Sequence, residues 1–299
     1  MAVWIGSHAL TMTELLVLLG RAWSRLLLYP GGVSAFALIW LIKYLQPRIV
    51  PSFLRHSLHL QPTSSTYVPV SQPLHTFASM SAVVLPWLAL SLLPLPLAPA
   101  MERPIDVLVV VALLDWPLIL TIAIEVRQRG WSVQQNSWRR LAAALNGYPS
   151  FMLAMLLLVM ASRSLQLDQL TRLPGADTVP AILVAWALGV CTLVVSLPPL
   201  LGLGPFATDA PEDVGLRIGL RLRGIGLVVL AIFPLLGLLE SYLWLFLLLC
   251  VCITGYLILF IRLAGRWSAQ QWAIGYALLA LVQLAVLLGV SVVVLQDRL

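Results

Sequence analysis

The chain has 299 residues, of which 61% are apolar and only 10% charged, with a mean hydropathy of +0.97. A soluble globular domain carries roughly a quarter charged residues, so that class is excluded and an all-α, polytopic integral membrane protein is expected. At about 20 apolar residues per crossing, the length admits about eight or nine spans and no separate soluble domain, whatever the net charge of +6 suggests about partners.

In chain order, Ala2 to Gly20 is mildly apolar and is read as the first span. Val33 to Leu45 is strongly apolar but short, and Pro30-Gly31-Gly32 breaks the chain before it, so it is read as a helix at the membrane surface. The stretch from about 46 to 76, with five prolines and three of the four histidines, reads as an irregular polar connection. Seven further spans follow, because peptide groups cannot stay unpaired in hydrocarbon and long apolar runs must be helical. They cover Phe77 to Ala98, Ile105 to Val126, Leu141 to Ala161, Val179 to Leu201, Gly224 to Glu240, Tyr242 to Ile261 and Gln271 to Val294. The last apolar block before Gln271 is too long for one crossing and is split at Glu240-Ser241. Eight spans result, with nine as the alternative if Val33 to Leu45 also crosses. The connections at about 127–140 and 202–223 are expected to be cytoplasmic loops.

Retained Lys and Arg mark the cytoplasmic side. With eight spans, the loops after spans one, three, five and seven hold Arg21, Arg25, Lys43, Arg48, Arg55, Arg127, Arg129, Arg139, Arg140, Arg217, Arg221, Arg223, Arg262 and Arg266, 14 of the 18 basic residues. Both termini are then expected on the non-cytoplasmic side of an inner or cell membrane. The basicity reflects topology rather than a nucleic-acid partner. No basic segment precedes the first apolar run, so no cleaved signal peptide is expected. Cys191, Cys250 and Cys252 lie in apolar runs, which argues against a disulfide framework or a metal site.

Charges at bilayer depth cost a few kcal/mol or more and are candidates for function. Asp115 falls in mid-span, Glu125 at the end of the same helix and Glu240 at a span end. Asp115 and Glu125 are nearly three helical turns apart, about 15 Å, on roughly one side, so a proton can pass between them through water. The plainer reading makes Glu125 an interfacial group beside Arg127 and Arg129. In the connection Leu201 to Gly224, Asp209, Glu212 and Asp213 precede Arg217, Arg221 and Arg223. A helix starting at Pro211 places acids in its first turn and arginines later, as its dipole prefers. Trp131 and Trp138 with Arg139 and Arg140 have the composition of an interfacial anchor. His56, His59 and His75 are spaced unlike a helical metal pair. No P-loop, nucleophile elbow or haem-binding histidine pair appears.

Two segments carry a family resemblance. Pro205-Phe206, Ala210-Pro211-Glu212 and Gly224 resemble the PFD, PEAEQEL and EYSG loop of the quinone-site membrane subunit of respiratory complex I, known as subunit 1. Arg139 to Pro149 is similar to the REAMLGVLVEP segment of the corresponding anchor subunits in formate hydrogenlyase and energy-converting, membrane-bound hydrogenases. Tyr29-Pro30-Gly31-Gly32-Val33 with Ile42-Lys43, Pro62-Thr63-Ser64-Ser65 and a Leu-Pro-Leu-Pro ending of span two extend the likeness along nearly the whole chain. The chain departs from the family at its acids. Of the loop's acids Glu212 and Asp213 remain, Arg221 to Arg223 stand where the EYSG acid lies, and Tyr148 replaces the intramembrane glutamate before the proline.

The resemblance implies a non-redox subunit of an NADH:quinone oxidoreductase-like or hydrogenase-like complex, clamped between hydrophilic iron–sulfur subunits and antiporter-like membrane subunits. By itself it binds no cofactor; a quinone headgroup sits at an interface, and the iron–sulfur clusters belong to partner chains. Asp209, Glu212, Asp213, Arg217, Arg221, Arg223, Arg139 and Arg140 become candidates for the quinone cavity and redox-arm contact, the arginines alternatively meeting anionic lipid. Asp115, Glu125, Tyr148 and Glu240 become candidates for a displaced proton path. A small membrane transporter or a non-catalytic scaffold is the alternative class.

Overall fold

The computed structural model describes residues 72–93, 105–128, 130–170, 180–236 and 243–296. Seven helices in this set are long and apolar enough to cross a bilayer. They are α1 (Gln72–Leu92), α2 (Val107–Arg127), α3 (Trp131–Ser162), α4 (Pro180–Leu200), α5 (Val214–Leu236), α6 (Leu243–Ala264) and α7 (Ala269–Gln296). The first span, the surface helix, and Glu240 fall outside the described residues.

Contacts of Arg140 with Glu125 and Asp209, of Ser79 with Asp213 and of Gly204 with Ala264 bring the ends of α2, α4 and α6 and the starts of α1, α3 and α5 together, so the connections 201–213 and 265–268 lie at one end of the bundle. At the other end, Asp106 and Gln166 form an isolated antiparallel bridge. There Val107 N–H donates to the Leu165 carbonyl at 3.0 Å, tying the start of α2 to the segment after α3. Helix α5 is the central element. Two thirds of its apolar window is buried, against 17% for α6 and α7, whose outer faces present Leu247, Val251, Leu278 and Leu281 to the surroundings. Leu114 of α2, Phe151 of α3, Leu193 of α4 and Phe233 of α5 are fully buried in the shared core. Helices α6 and α7 meet around their turn, where Phe260 and Trp272 pack with ring centroids 4.8 Å apart.

The seven apolar runs are where the sequence puts them, but three starts differ. Helix α1 begins at Gln72, inside the expected irregular connection. Helices α3 and α5 begin ten residues before the expected Leu141 and Gly224, so the last ten residues of each expected cytoplasmic loop are helical. The helix of the second loop starts at Val214 rather than Pro211 because Asp213 caps it, its carboxylate accepting the Leu216 N–H at 2.7 Å. Both extensions carry an arginine into the bundle, Arg140 on α3 and Arg223 on α5. Each is tolerated there because an acid of α2 faces it.

The approach of α5 to its neighbours depends on missing side chains. A Cβ at Gly219 would collide with the Ala82 carbonyl of α1, one at Gly215 with Ser79, and one at Gly226 with Leu114 of α2. Small residues spaced along one helix face let transmembrane backbones come this close.

Candidate functional site

Two arginine–carboxylate pairs lie one above the other along α2. The inner pair joins Asp115 to Arg223 of α5, with Nε 3.0 Å from Oδ1. The same guanidinium donates through Nη1 to the Leu200 carbonyl at 2.7 Å and through Nη2 to the Tyr148 hydroxyl at 3.0 Å. One side chain thus ties α2, α3, α4 and α5. The outer pair joins Glu125 to Arg140 of α3, at 3.1 Å from Nη2 and 3.4 Å from Nε. Arg140 Nη2 also donates to the Asp209 carbonyl at 2.7 Å. All four charged residues are buried, at 3% to 8% exposed. Burying four charges is compensated only where geometry is close and further acceptors are at hand; here Arg223 finds one on each of its three nitrogens and Arg140 finds them on Nε and Nη2.

These contacts fix the connection 201–213. Leu200 at its start is held by Arg223 and Asp209 by Arg140. Asn136 grips Asp209 a second time, receiving its N–H at 2.9 Å and donating to its carbonyl at 3.1 Å. Arg217 donates to the Pro211 and Glu212 carbonyls, at 3.1 and 3.2 Å. At the far end Ser79 Oγ of α1 donates to Asp213 at 2.9 Å, and His75 Nδ1 stands 3.6 Å from the same carboxylate. Gly202 and Gly204 adopt positive φ, 63° and 62°, which turns the chain tightly after α4. The two segments singled out in the sequence, around Arg139 and around Pro205, therefore touch.

The candidate residues divide into two sets. Asp115, Glu125, Tyr148, Arg140 and Arg223 belong to the buried network. Asp209, Glu212, Arg139 and Arg221 are exposed at the same end, with Asp213 and Arg217 half-buried beside them. This corrects one expectation: Arg223 is not available to a partner's surface, because it is buried and committed to Asp115. Glu125 lies at the end of α2, two residues before Arg127, and there it is 5% exposed and bound to Arg140. Asn136, Ser79 and His75 were not among the candidates. A lone amide in a polar stretch and a serine at a helix start give no signal until their distant partners are known. Among the described residues no group of three or more His, Cys, Asp or Glu can hold a metal ion.

No family model matches this chain, and no curated protein matches it. Solved structures do. A chain of the membrane-bound sulfane sulfur reductase, an archaeal respiratory membrane complex, superposes with a TM-score of 0.60 over 91% of this chain and 99% of its own, at 14% identity. The two chains share a fold. The likeness spans nearly all of both, so the bundle of this chain has the fold of that membrane chain.

Proposed function

We propose that this chain is a membrane subunit of a complex I-like, proton- or ion-coupled respiratory complex whose arginine-rich end, facing the cytoplasm, seats a redox subunit. The clamp on the connection 201–213 carries this reading. Burying the Glu125–Arg140 pair while Arg140 holds Asp209 is costly and is more than the packing of apolar helices needs, whereas an immobilised polar connection suits a surface that a protein partner docks on. The exposed side of that surface offers Asp209, Glu212, Arg139 and Arg221. The likeness to a chain of an archaeal respiratory membrane complex supports the same assignment.

In this reading electrons travel on iron–sulfur clusters in the partner, and a quinone, where one is used, meets the chain at the interface. The chain itself positions ligand and partner and links them to antiporter-like membrane subunits. Asp115 and Glu125, with Tyr148 beside the inner pair and Glu240, are its candidates for proton transfer. Each of the first two acids is paired with an arginine, Asp115 with Arg223 and Glu125 with Arg140. Extraction in mild detergent tests the reading: iron–sulfur and antiporter-like chains are expected to co-purify. Recovery of a homo-oligomer alone, active in transport, overturns it in favour of a small transporter. Undiminished proton translocation in Asp115→Asn removes Asp115 from the proton path.

A further inference from the structure

The α6–α7 hairpin carries a charge imbalance that the clamp does not use. From Leu243 to Gln296 the sequence contains two charged residues, Arg262 and Arg266, and no carboxylate. Both are exposed at the turn end of the hairpin, and among the described residues neither forms an ion pair. Arg262 also lines an open cleft of about 580 Å³, together with Gly204, Pro205, Ile261, Gly265 and Trp267.

One wall of the cleft is rigid. Gly204 sits so close to α6 that a Cβ there would lie 3.0 Å from the Ala264 Cβ and 3.3 Å from Phe260. Behind it Phe206 packs on Tyr276, with ring centroids 5.9 Å apart, and Trp267 packs on Trp272 at 5.0 Å. Trp267 is nonetheless 57% exposed. Helix α6, at 1.5 Å per residue over 22 residues, is about as long as the hydrocarbon core is thick, so Arg262 in its last turn stands at headgroup level. Below it Leu259 and Val251 are exposed along the helix and offer an apolar track into the bilayer.

The geometry points to a binding site for an anionic phospholipid, its phosphate ester paired with Arg262 in this cleft, its backbone beside Trp267 and its acyl chains along α6. A guanidinium fork matches two phosphate oxygens, and an indole suits the boundary between headgroup and chain. The chemistry shared with a soluble phosphate ester is the anion; the acyl track argues for the lipid.

Native mass spectrometry of the full-length detergent-purified protein tests this, with phosphatidylglycerol and phosphatidylcholine as probes. Phosphatidylglycerol is expected to bind about fivefold more tightly, the effect of one near-surface cation. Arg262→Gln is expected to abolish the preference and Arg262→Lys to keep part of it. Arg163→Gln, at the opposite end of the bundle, is expected to leave it intact. Equal binding of both lipids by the unaltered chain, or a preference that survives Arg262→Gln, overturns the site. If Arg262→Gln does not yield folded protein, Trp267→Ala replaces it, with weakened phosphatidylglycerol retention expected and unchanged retention overturning the site. Millimolar glycerol phosphate distinguishes the two sources: failure to displace bound phosphatidylglycerol supports the lipid, and displacement overturns it in favour of a soluble ester.

Discussion

Arg223 serves three acceptors at once, the Asp115 carboxylate, the Tyr148 hydroxyl and the Leu200 carbonyl. Leu200 ends α4, where carbonyls have no intrahelical donor, so one guanidinium neutralises an acid and caps a helix C-terminus. Arg223→Leu leaves both groups unpaired and is expected to cost about 3–5 kcal/mol, read from unfolding in detergent. Asp115→Leu combined with Arg223→Leu is expected to recover most of that loss, because no lone buried charge remains; about 1 kcal/mol stays lost at the uncapped carbonyl. A double variant as unstable as the single one contradicts a role in mutual neutralisation. The outer pair differs, because Arg140 also holds Asp209. Arg140→Ala is expected to speed amide hydrogen exchange across residues 207–212. Glu125→Gln, which keeps a hydrogen-bonding partner for Arg140, is expected to speed it much less, and equal acceleration argues against the clamp.

At the level of elements, the apolar interior of each described span is legible because hydrocarbon leaves the backbone no alternative to a helix. The starts of α3 and α5 are not legible, for one shared reason. Hydropathy ends a span at its first arginine, yet Arg140 and Arg223 are neutralised by Glu125 and Asp115, and the Arg223–Asp115 contact joins positions 108 residues apart. No local pattern encodes such a partner. The acids themselves stand out by their depth in α2, whereas their roles depend on what faces them. Gly215 and Gly219 likewise read as parts of a polar loop, although they set the spacing between α5 and α1. Gly219→Ala pushes a Cβ against the Ala82 backbone, which cannot swing aside as a side chain can, and is expected to cost about 1–3 kcal/mol. Gly275→Ala in α7 meets nothing within 4 Å and is expected to be neutral, or stabilising by up to about 1 kcal/mol through helix propensity. Thermal unfolding of the two variants compares them, and equal effects contradict close packing at Gly219.

Across the whole molecule, the even alternation of helices turns local composition into polarity between the two ends. Arg127, Arg139, Arg217, Arg221, Arg262 and Arg266 gather at the end where Arg140 reaches from α3 to the connection 201–213. The outer faces of α6 and α7 are apolar and little covered, as expected of surfaces that meet lipid or membrane partners. Helix α7 is nevertheless anchored. Its fully buried Gln283 accepts from the Ser150 hydroxyl and donates to the Ser150 carbonyl, both at 2.9 Å. This architecture makes a topological prediction that needs no partner chain. Cysteines introduced at exposed Gln135 and Ala207 are expected to react with an impermeant maleimide from the same side of the membrane as one at Ser268. A cysteine introduced at exposed Leu165 is expected to react only from the other side. Retained arginine predicts that the shared side is cytoplasmic. Labelling of positions 135 and 207 from opposite faces is incompatible with the Arg140–Asp209 contact, and it removes the platform on which a redox partner would rest.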